Sequence, residues 1–366
     1  MSGPLAGFRA LQLLDYEKQQ PKMMEISIVY LGNKIPKYLL QNLKYMHSTF
    51  PNSKLVFISD SDESISRVAN LGIKTWKFNG MNENLYSLRN HLNHDWKFRN
   101  NFWFYTFARF FAIEEYMALN PHNRHLHVEG DNLLFESFPF DFFSQMESEM
   151  AFPMVSNIAG AASVLFLKNH QAALKLVNFT MEEIKRNSNI TDMTILGRIL
   201  EYPSIDTFVL GSVPANQKNM VKSSFEEKLF CPDMGINGFF DAASHGQYLL
   251  GVDPRNSRGL LKLNHSSDNS GSDNEQMNYL YIDDKVGVLV NQDFFELYNL
   301  HNHSKDIRLF NDKKRDKFLR KRVVNSNNGE YTEINIFIFI QLLFLAVRRR
   351  FLKILGSKAI KKSGKD

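Results

Sequence analysis

The sequence predicts an α/β protein in which helices flank a mostly parallel central sheet. Short β-rich apolar runs alternate with segments of helical periodicity between residues 25 and 78, as expected for parallel strands joined by right-handed crossovers. A long aromatic helix then leads into another apolar strand, HLHV at 125–128. A chain of 366 residues with 43% hydrophobic side chains can bury a sizeable core around such a sheet.

The opening segment predicts three strands separated by two helices. The first run, EISIVYLG, is apolar and is closed by Gly32, which is typical of a buried strand. Leucines recur at helical spacing after Pro36, a residue suited to the first turn of a helix. The predicted elements are a strand at 25–32, a helix at 35–50, a strand at 54–60, a helix at 62–71 and a strand at 73–78.

The predicted alternation continues through the rest of the chain. An aromatic helix at 100–119 ends at Asn120-Pro121. Further strands are predicted at 149–155, 163–169 and 205–211, and the segment 279–290 again has strand character. Further helices are predicted at 170–187, from Asp192 onward and at 312–322. The last helix is strongly basic, which is typical of a solvated face. Residues 264–276 read as a polar low-complexity loop.

The composition limits the class of protein and its partners. Cys231 is the only cysteine, which excludes an internal disulfide framework and a cysteine-based zinc cluster and fits a reducing compartment such as the cytoplasm. The net charge of +5 belongs to the C-terminal tail, because eight basic residues and one acid lie from Arg348 to the end. Residues 1–347 are slightly acidic, so no nucleic-acid partner is expected.

Two carboxylates follow the strand at 125–128 directly. Glu129 and Asp131 flank Gly130, and a glycine there would let the backbone turn, bring both acids to one ion and leave room for a ligand. Mg²⁺ and similar cations that bridge a diphosphate are bound by one or two carboxylates and keep several waters. In open α/β sheets, ligands bind outside the carboxyl ends of the strands. The position therefore predicts a metal-bound diphosphate site.

Over residues 24–255 the chain resembles the GT-A class of nucleotide-sugar-dependent glycosyltransferases, whose fold is Rossmann-like. The opening strands, the triplet EGD at 129–131, TDM at 191–193 and FDAASHGQY at 240–248 carry the resemblance. It implies that the triplet holds Mn²⁺ or Mg²⁺ on the diphosphate of the donor sugar. Asp131 would be the direct ligand, and Glu129 would contact the ribose or reach the metal through water. The first acid here is Glu, where the common form has Asp.

The same resemblance assigns residues that bind the donor. Arg109 lies among phenylalanines on the aromatic helix, where it would either point toward the donor phosphates or snorkel. The nucleotide base would lie where the first strands end, at Tyr30, Gly32 and Asp60. Tyr30 would stack on the base, or would be an ordinary half-buried strand tyrosine. Gly130 is expected to lie against the ligand.

Two acids are candidates for the general base, which must reach the attacking hydroxyl. Asp192 opens a helix in NITDM, so it would act as the base, anchor the acceptor or serve as an N-cap or first-turn acid. Asp241 in GFFDAASHG is the competing candidate. His245, directly before Gly246, would be a third metal ligand, as a late histidine is in some members of the class.

Other interpretations compete with the transferase. His125 and His127 share one face of the strand with Glu129 and Asp131, so HxHxExD could line up ligands for a metal-dependent hydrolase, although four ligands on one strand diverge. A non-catalytic carbohydrate- or nucleotide-binding protein of the same fold is the second alternative. A nucleotidyltransferase would need a Gly-rich, basic loop after the first strand, and LGNKIPKY has no such run.

The sequence thus predicts a metal-dependent glycosyltransferase of polysaccharide biosynthesis, which moves a hexosyl or related sugar from a nucleotide diphosphate donor to a glycan or lipid-linked acceptor. The expected organisation is a loosely ordered segment at 1–23 and a GT-A-like catalytic domain at 24–260, followed by an extension at 261–330 that packs on it. Within the catalytic domain, 24–135 would bind the nucleotide sugar and 136–260 the acceptor.

The C-terminal segment, 331–366, predicts contact with a membrane surface. INIFIFIQLLFLAV at 334–347 is too short for a bilayer span, which needs about 20 residues, and a polybasic stretch follows it at once. Such a pair is typical of an in-plane anchor that meets anionic lipid. The alternative is a helix packed on the domain with a disordered basic end. A cytoplasmic protein, peripheral at the membrane, is expected.

Overall fold

The computed structural model describes residues 24–32, 34–80, 83–94, 97–98, 101–251 and 270–327. The predicted N-terminal segment at 1–23 and the tail at 331–366 lie outside these ranges. Within them the α/β architecture is confirmed: helices cover a large central sheet in which parallel pairs are the majority.

The described elements follow the chain in alternating order. The strands are β1 (Met24–Val29), β2 (Lys54–Ser59), β3 (Lys74–Lys77), β4 (Arg124–Val128), β5 (Asn132–Leu134), β6 (Met150–Ser156), β7 (Ala159–Gly160), β8 (Val164–Leu167), β9 (Thr207–Leu210), β10 (Gly238–Phe239), β11 (Tyr279–Ile282), β12 (Lys285–Val290), β13 (Asp293–Leu297) and β14 (Asn299–His301).

The helices are α1 (Lys37–Thr49), α2 (Asp62–Ala69), α3 (Glu83–His91), α4 (Phe102–Met117), α5 (Phe140–Gln145), α6 (His170–Arg186), α7 (Asp192–Ile199), α8 (Ser244–Leu250) and α9 (Asp312–Asn327). Short 3-10 turns occur at Lys218–Met220, Glu227–Leu229, Asn274–Gln276 and Ile307–Phe310.

The central sheet runs β3-β2-β1-β4-β8-β6-β7, with β9 beside β6. Strands β1 to β4 pair in parallel, as do β6 and β9. Strand β8 runs antiparallel to both of its neighbours. Because β1, β2 and β4 are parallel, the residues that follow them meet at one edge of the sheet.

One hydrophobic core holds the layers together. Ile26 and Ile28 of β1 and Leu39 and Leu43 of α1 are fully buried in the same core, and burial of each such side chain contributes roughly 1.5–3 kcal/mol. The aromatic residues of α4 belong to the same core, with Phe107 fully buried. This continuous apolar layer fixes the strand ends against the helices that surround the candidate site.

The predicted strand character of 279–290 is confirmed, and the structure divides this segment into a hairpin of β11 and β12. Asp283 and Asp284 both adopt positive φ, 46° and 62°, as the two-residue turns of hairpins often require. The hairpin belongs to a second sheet, β10-β13-β12-β11.

Strand β14 pairs antiparallel with β5, so residues late in the chain lie beside the acidic triplet. The pairing sets His301 opposite Asn132. None of the helices within the described ranges is long and apolar enough to cross a membrane.

Candidate functional site

The turn that carries Glu129 and Asp131 is held by buried amide side chains. The Asn42 amide donates to the carbonyl oxygens of Gly130 (3.0 Å) and Asn132 (2.9 Å), and the Glu129 N–H donates to the Ser163 carbonyl at 3.2 Å. These bonds fix the direction in which the two carboxylates leave the turn.

Gly130 does not provide the space for a ligand that the sequence suggested. A Cβ at this position would lie 2.6 Å from Leu39 Cδ1 and 3.5 Å from Ile28 Cγ2. The protein's own core therefore fills that space, and the glycine is explained by the close approach of α1 to the turn.

A loop at 301–306 closes over the triplet from the other side. The Asn302 N–H donates to the Asp131 carbonyl at 2.7 Å. The buried Asn302 side chain accepts from the Asp306 N–H (3.1 Å) and donates to the Asp306 carbonyl (2.9 Å). Lys305 adopts a left-handed φ of 55° inside this loop. The loop thus presents His301 and Lys305 to Asp131.

Three side chains at this point offer donors for a divalent cation. One ligand atom each of Glu129, Asp131 and His301 lies within 4.8 Å of the other two. His301 Nε2 is 3.1 Å from Asp131 Oδ2 and 3.7 Å from Glu129 Oε2. Two carboxylates fit a hard cation, and the imidazole favours a transition metal. The residues therefore fit the expected Mn²⁺ better than Mg²⁺.

Lys305 forms an ion pair with Asp131 through Oδ2, the same oxygen that His301 approaches. Its ammonium also lies 5.4 Å from the centre of the Tyr38 ring, within the range of a cation–π contact. A second partner is therefore within reach of the ammonium when Asp131 binds something else.

Arg109 is buried between two carboxylates. It pairs with Glu129 Oε1 through one guanidinium nitrogen and with Asp192 Oδ2 through the other. The arginine therefore points into the site and does not snorkel. Burial alone would lower the pKa of Arg109, but the two carboxylates raise it above its usual value.

The charge of Glu129 depends on these neighbours. Burial alone would raise its pKa, but the attraction of Arg109 and His301 lowers it to about 2. Since Arg109 holds Oε1, Oε2 faces His301. The carboxylate is thus ionised and oriented toward His301.

Asp192 lies in the first turn of α7, where Thr191 is the N-cap and accepts from the Thr194 N–H at 3.2 Å. Burial raises the pKa of Asp192 although Arg109 opposes the shift. Because Arg109 links Asp192 to Glu129, Asp192 belongs to the same group of charged side chains as Glu129 and Asp131. Its role as a base stays a prediction.

Asp241 is not placed as a base would be. Its fully buried carboxylate accepts four backbone N–H bonds: Oδ1 from Ala243 (2.7 Å) and His245 (3.0 Å), and Oδ2 from Gly246 (2.7 Å) and His301 (2.8 Å). Each oxygen already has two donors, which leaves no lone pair for a substrate proton. Asp241 instead ties α8 to the backbone of His301.

His245 does not serve as the predicted third ligand. The ring is fully buried, its Nδ1 is hydrogen-bonded to the Tyr279 hydroxyl at 2.6 Å, and its Nε2 to the Ser212 carbonyl at 2.7 Å. With both nitrogens engaged inside the core, neither can reach the triplet. Among the described residues, His301 and not His245 completes the group with Glu129 and Asp131 that could hold a metal ion.

The expected nucleotide residues lie at the same sheet edge. The Gly32 N–H donates to both Asp60 oxygens, at 2.8 and 3.1 Å. Gly32 has a φ of 84°, and a Cβ there would fall 2.1 Å from the Tyr105 ring. Tyr30 is half-buried. The turn therefore needs glycine for backbone and packing reasons, and nucleotide binding by Tyr30, Gly32 and Asp60 stays a prediction.

His125 and His127 do not join the cluster. Both rings are buried within β4, and His125 Nε2 bonds to the Ser27 hydroxyl at 2.7 Å. Burial lowers the pKa of each to about 3, so both are neutral core histidines. The metal-capable group found among the described residues excludes them, which removes the basis for a hydrolase built on HxHxExD.

Sequence reasoning missed His301, Lys305 and Asn302. They lie in HNHSK, directly after the apolar LYNL. A pair of histidines and a lysine at the end of a short strand was the available signal. It gained meaning only through the pairing of β14 with β5.

No protein-family model matches the chain, and no curated protein matches it. Among solved structures, it is similar to the PaToxG glycosyltransferase, with a TM-score of 0.33 and 11% identity over 55% of this chain and 79% of that one. It is similar to an inositol-1-phosphate CTP transferase from T. maritima, with a TM-score of 0.33 and 12% identity over 52% of this chain and 86% of that one. It is also similar to a CTP:phosphocholine cytidylyltransferase from Streptococcus pneumoniae, with a TM-score of 0.31 and 12% identity over 51% of this chain and 89% of that one. These likenesses concern part of the α/β fold.

Proposed function

We propose that the protein is a metal-dependent glycosyltransferase that uses a nucleotide diphosphate sugar as donor. The observation that carries the proposal is the convergence of Glu129, Asp131 and His301 at the carboxyl end of β4, with two cations, Arg109 and Lys305, in contact with the same carboxylates. Ligand oxygens for a metal and cations for phosphates are what a diphosphate leaving group requires.

Glu129, Asp131 and His301 would hold the metal, for which Mn²⁺ is the best fit to this donor set. Bound there, it would neutralise the negative charge that develops on the leaving diphosphate. Arg109 orients Glu129, and Asp241 fixes the backbone of His301 at 2.8 Å. Both residues thus position ligands without being ligands themselves.

Besides pairing with Asp131, Lys305 would contact the donor's diphosphate in this proposal. Its ammonium now pairs with Asp131 Oδ2, so it would have to leave this carboxylate for Asp131 to hold a metal. Tyr38 offers the ammonium an alternative contact at 5.4 Å. We assign the displaced ammonium to an oxygen of the donor's diphosphate, where it would stabilise departing charge.

Asp192 is the base we assign to the acceptor hydroxyl. Burial raises its pKa, which favours proton uptake. Since the Arg109 guanidinium pairs with Asp192 Oδ2, the proton would go to Asp192 Oδ1. The nucleotide would lie along Tyr30, Gly32 and Asp60, where β1 and β2 end at the same edge.

The acceptor we propose is a glycan or a lipid-linked sugar, as in polysaccharide biosynthesis. The segment at 334–366 supports the lipid-linked form, because an apolar run followed by eight basic residues suits the surface of an anionic membrane. A peripheral position at the cytoplasmic face of a membrane would place the site where such an acceptor is concentrated.

A panel of nucleotide sugars tests the function. The purified chain, with Mn²⁺ present or absent, should hydrolyse or bind at least one member of the panel, and the metal should be required. Asp131→Asn should remove this activity while the protein keeps its circular dichroism and stays folded.

Asp60→Asn is a matched control, because it removes a carboxylate at the same sheet edge without touching the proposed metal ligands. It should weaken nucleotide binding and leave Mn²⁺ binding intact. Binding of a nucleotide sugar without turnover, in the presence of sugar acceptors, would favour the non-catalytic alternative. No binding of any nucleotide sugar, with or without metal, would refute the proposal.

A further inference from the structure

The outer face of α9 is a basic surface that the candidate site does not use. The helix carries seven basic and two acidic residues. Its inner face is apolar, with Phe318, Leu319 and Val323 buried. At 100° per residue, five exposed cations and the exposed Val324 fall on the opposite side, within an arc of about 120°. These cations are Lys313, Lys314, Lys317, Arg320 and Lys321.

At the same 100° per residue, the two acids of α9 fall outside the arc of this basic surface. Asp312 pairs with Arg315 at 3.0 Å, and Asp316 accepts a hydrogen bond from the Tyr281 hydroxyl at 2.9 Å. Within the described ranges, none of the four lysines in the arc forms an ion pair with another residue. The surface therefore presents concentrated positive charge to solvent, with one apolar side chain, Val324, 52% exposed among it.

We propose that this basic surface docks on an anionic lipid bilayer. A cluster of lysines and arginines on a helix is attracted by the negative surface potential of such a membrane. The sequence that follows α9 favours a bilayer over other polyanions as the partner. Six residues after α9 the sequence enters the apolar run at 334–347, and its polybasic stretch follows.

The two segments can meet the same surface. The connection from Asn327 to residue 334 spans at most about 24 Å when extended. A single weak membrane element binds marginally and reversibly, whereas two elements together anchor stably. The folded basic surface thus supplies the second element that a short apolar segment needs.

Docking through α9 would also orient the metal-binding cluster. The 3-10 turn at Ile307–Phe310 joins the loop at 301–306 to the start of α9. The Arg315 guanidinium lies 4.7 Å from the centre of the Tyr45 ring, and the Tyr45 hydroxyl donates to the Leu134 carbonyl at 2.8 Å. These contacts connect α9 to β5 beside the triplet, whether or not the protein is a transferase.

Flotation of the full chain with vesicles tests the docking. Vesicles of phosphatidylcholine containing phosphatidylglycerol should carry the protein at about 0.1 M salt, and pure phosphatidylcholine vesicles should carry much less. Each basic residue near an anionic surface contributes roughly a fivefold factor in partitioning. The triple variant Lys313→Gln, Lys317→Gln, Lys321→Gln should therefore partition about 100-fold less.

The matched control is the triple variant Lys54→Gln, Lys185→Gln, Lys228→Gln, which removes three exposed lysines from other elements and should float like the wild type. Both variants should keep wild-type circular dichroism. The proposal is overturned if the α9 variant partitions like the wild type, or if the control loses as much. It is also overturned if the wild type binds heparin or DNA but not anionic vesicles.

Discussion

Asp131 and Asp241 are both buried or nearly so, and both follow a β-strand, yet their surroundings differ in kind. Asp131 meets two side chains, His301 and Lys305. Asp241 accepts four backbone N–H bonds. A side-chain partner can rotate away and let another cation take its place, whereas a backbone donor cannot. The partners of a carboxylate therefore show whether its contacts are exchangeable or fixed, a difference that sequence position does not reveal.

The largest expected effect is on folding. Asp241→Asn places an amide NH₂ against two of the four backbone N–H donors, and each buried donor without an acceptor costs about 1–3 kcal/mol. We expect a loss of about 3 kcal/mol in the free energy of unfolding, measured by urea denaturation at pH 7.

Asp131→Asn is the paired variant. It should stay within about 1 kcal/mol of the wild type, because Lys305 can turn to the Tyr38 ring and to solvent. Equal losses in the free energy of unfolding for Asp241→Asn and Asp131→Asn would contradict the distinction between exchangeable and fixed partners.

The two buried histidines of β4 make the stability of the protein depend on pH. His125 and His127 have pKa values lowered by burial to about 3, against about 6.5 in an unfolded chain. The unfolded state therefore binds more protons between these pH values, so stability is complete above about pH 6.5 and falls as the pH is lowered. Each histidine contributes a slope of about 1.4 kcal/mol per pH unit.

His127→Gln should lower the pH slope of the free energy of unfolding by the contribution of one histidine. Urea denaturation at several pH values between pH 4 and pH 7 measures this slope. His47→Gln, on an exposed face of α1, is the matched control and should leave the slope unchanged. An unaltered slope for His127→Gln would mean that this ring takes up its proton in the folded chain.

The smallest expected effect concerns Lys305. Since its ammonium competes for Asp131 Oδ2, Lys305→Met should tighten Mn²⁺ binding without nucleotide by about fivefold, the size of a partly exposed ion pair. The same variant should weaken binding of a nucleoside diphosphate in the presence of Mn²⁺. Calorimetric titration measures both, with Lys44→Met on α1 as the control. Weaker Mn²⁺ binding by Lys305→Met would show that the lysine does not compete with the metal.

The first part of the fold could be predicted because its signals are local. Apolar runs such as KLVFIS and the leucine spacing after Pro36 are visible within a few residues. Strand β5 and the hairpin at Asp283 and Asp284 were missed, since three residues or a two-residue turn give little periodicity. Parallel pairing of the first three strands followed from the alternation of strands and helices along the chain.

The site could be predicted only in part. Glu129, Asp131, Arg109 and Asp192 were named from the sequence and do come together. His301 and Lys305 lie about 170 residues from the triplet in sequence and reach it through the β5–β14 ladder, which no local pattern reveals. His245 and Asp241 resembled site residues, but core hydrogen bonds engage them. Gly130 resembled a ligand contact, but Leu39 occupies that space.

Titration of Mn²⁺ into the wild type and the variants Asp131→Asn, His301→Gln and His245→Gln tests the central claim most directly, with folding of each variant checked by circular dichroism. The wild type should bind one ion, Asp131→Asn should lose measurable binding, and His301→Gln should bind at least tenfold more weakly, as for loss of a ligand. His245→Gln should bind like the wild type. Wild-type affinity in His301→Gln, or loss of binding in a folded His245→Gln, would contradict the assignment.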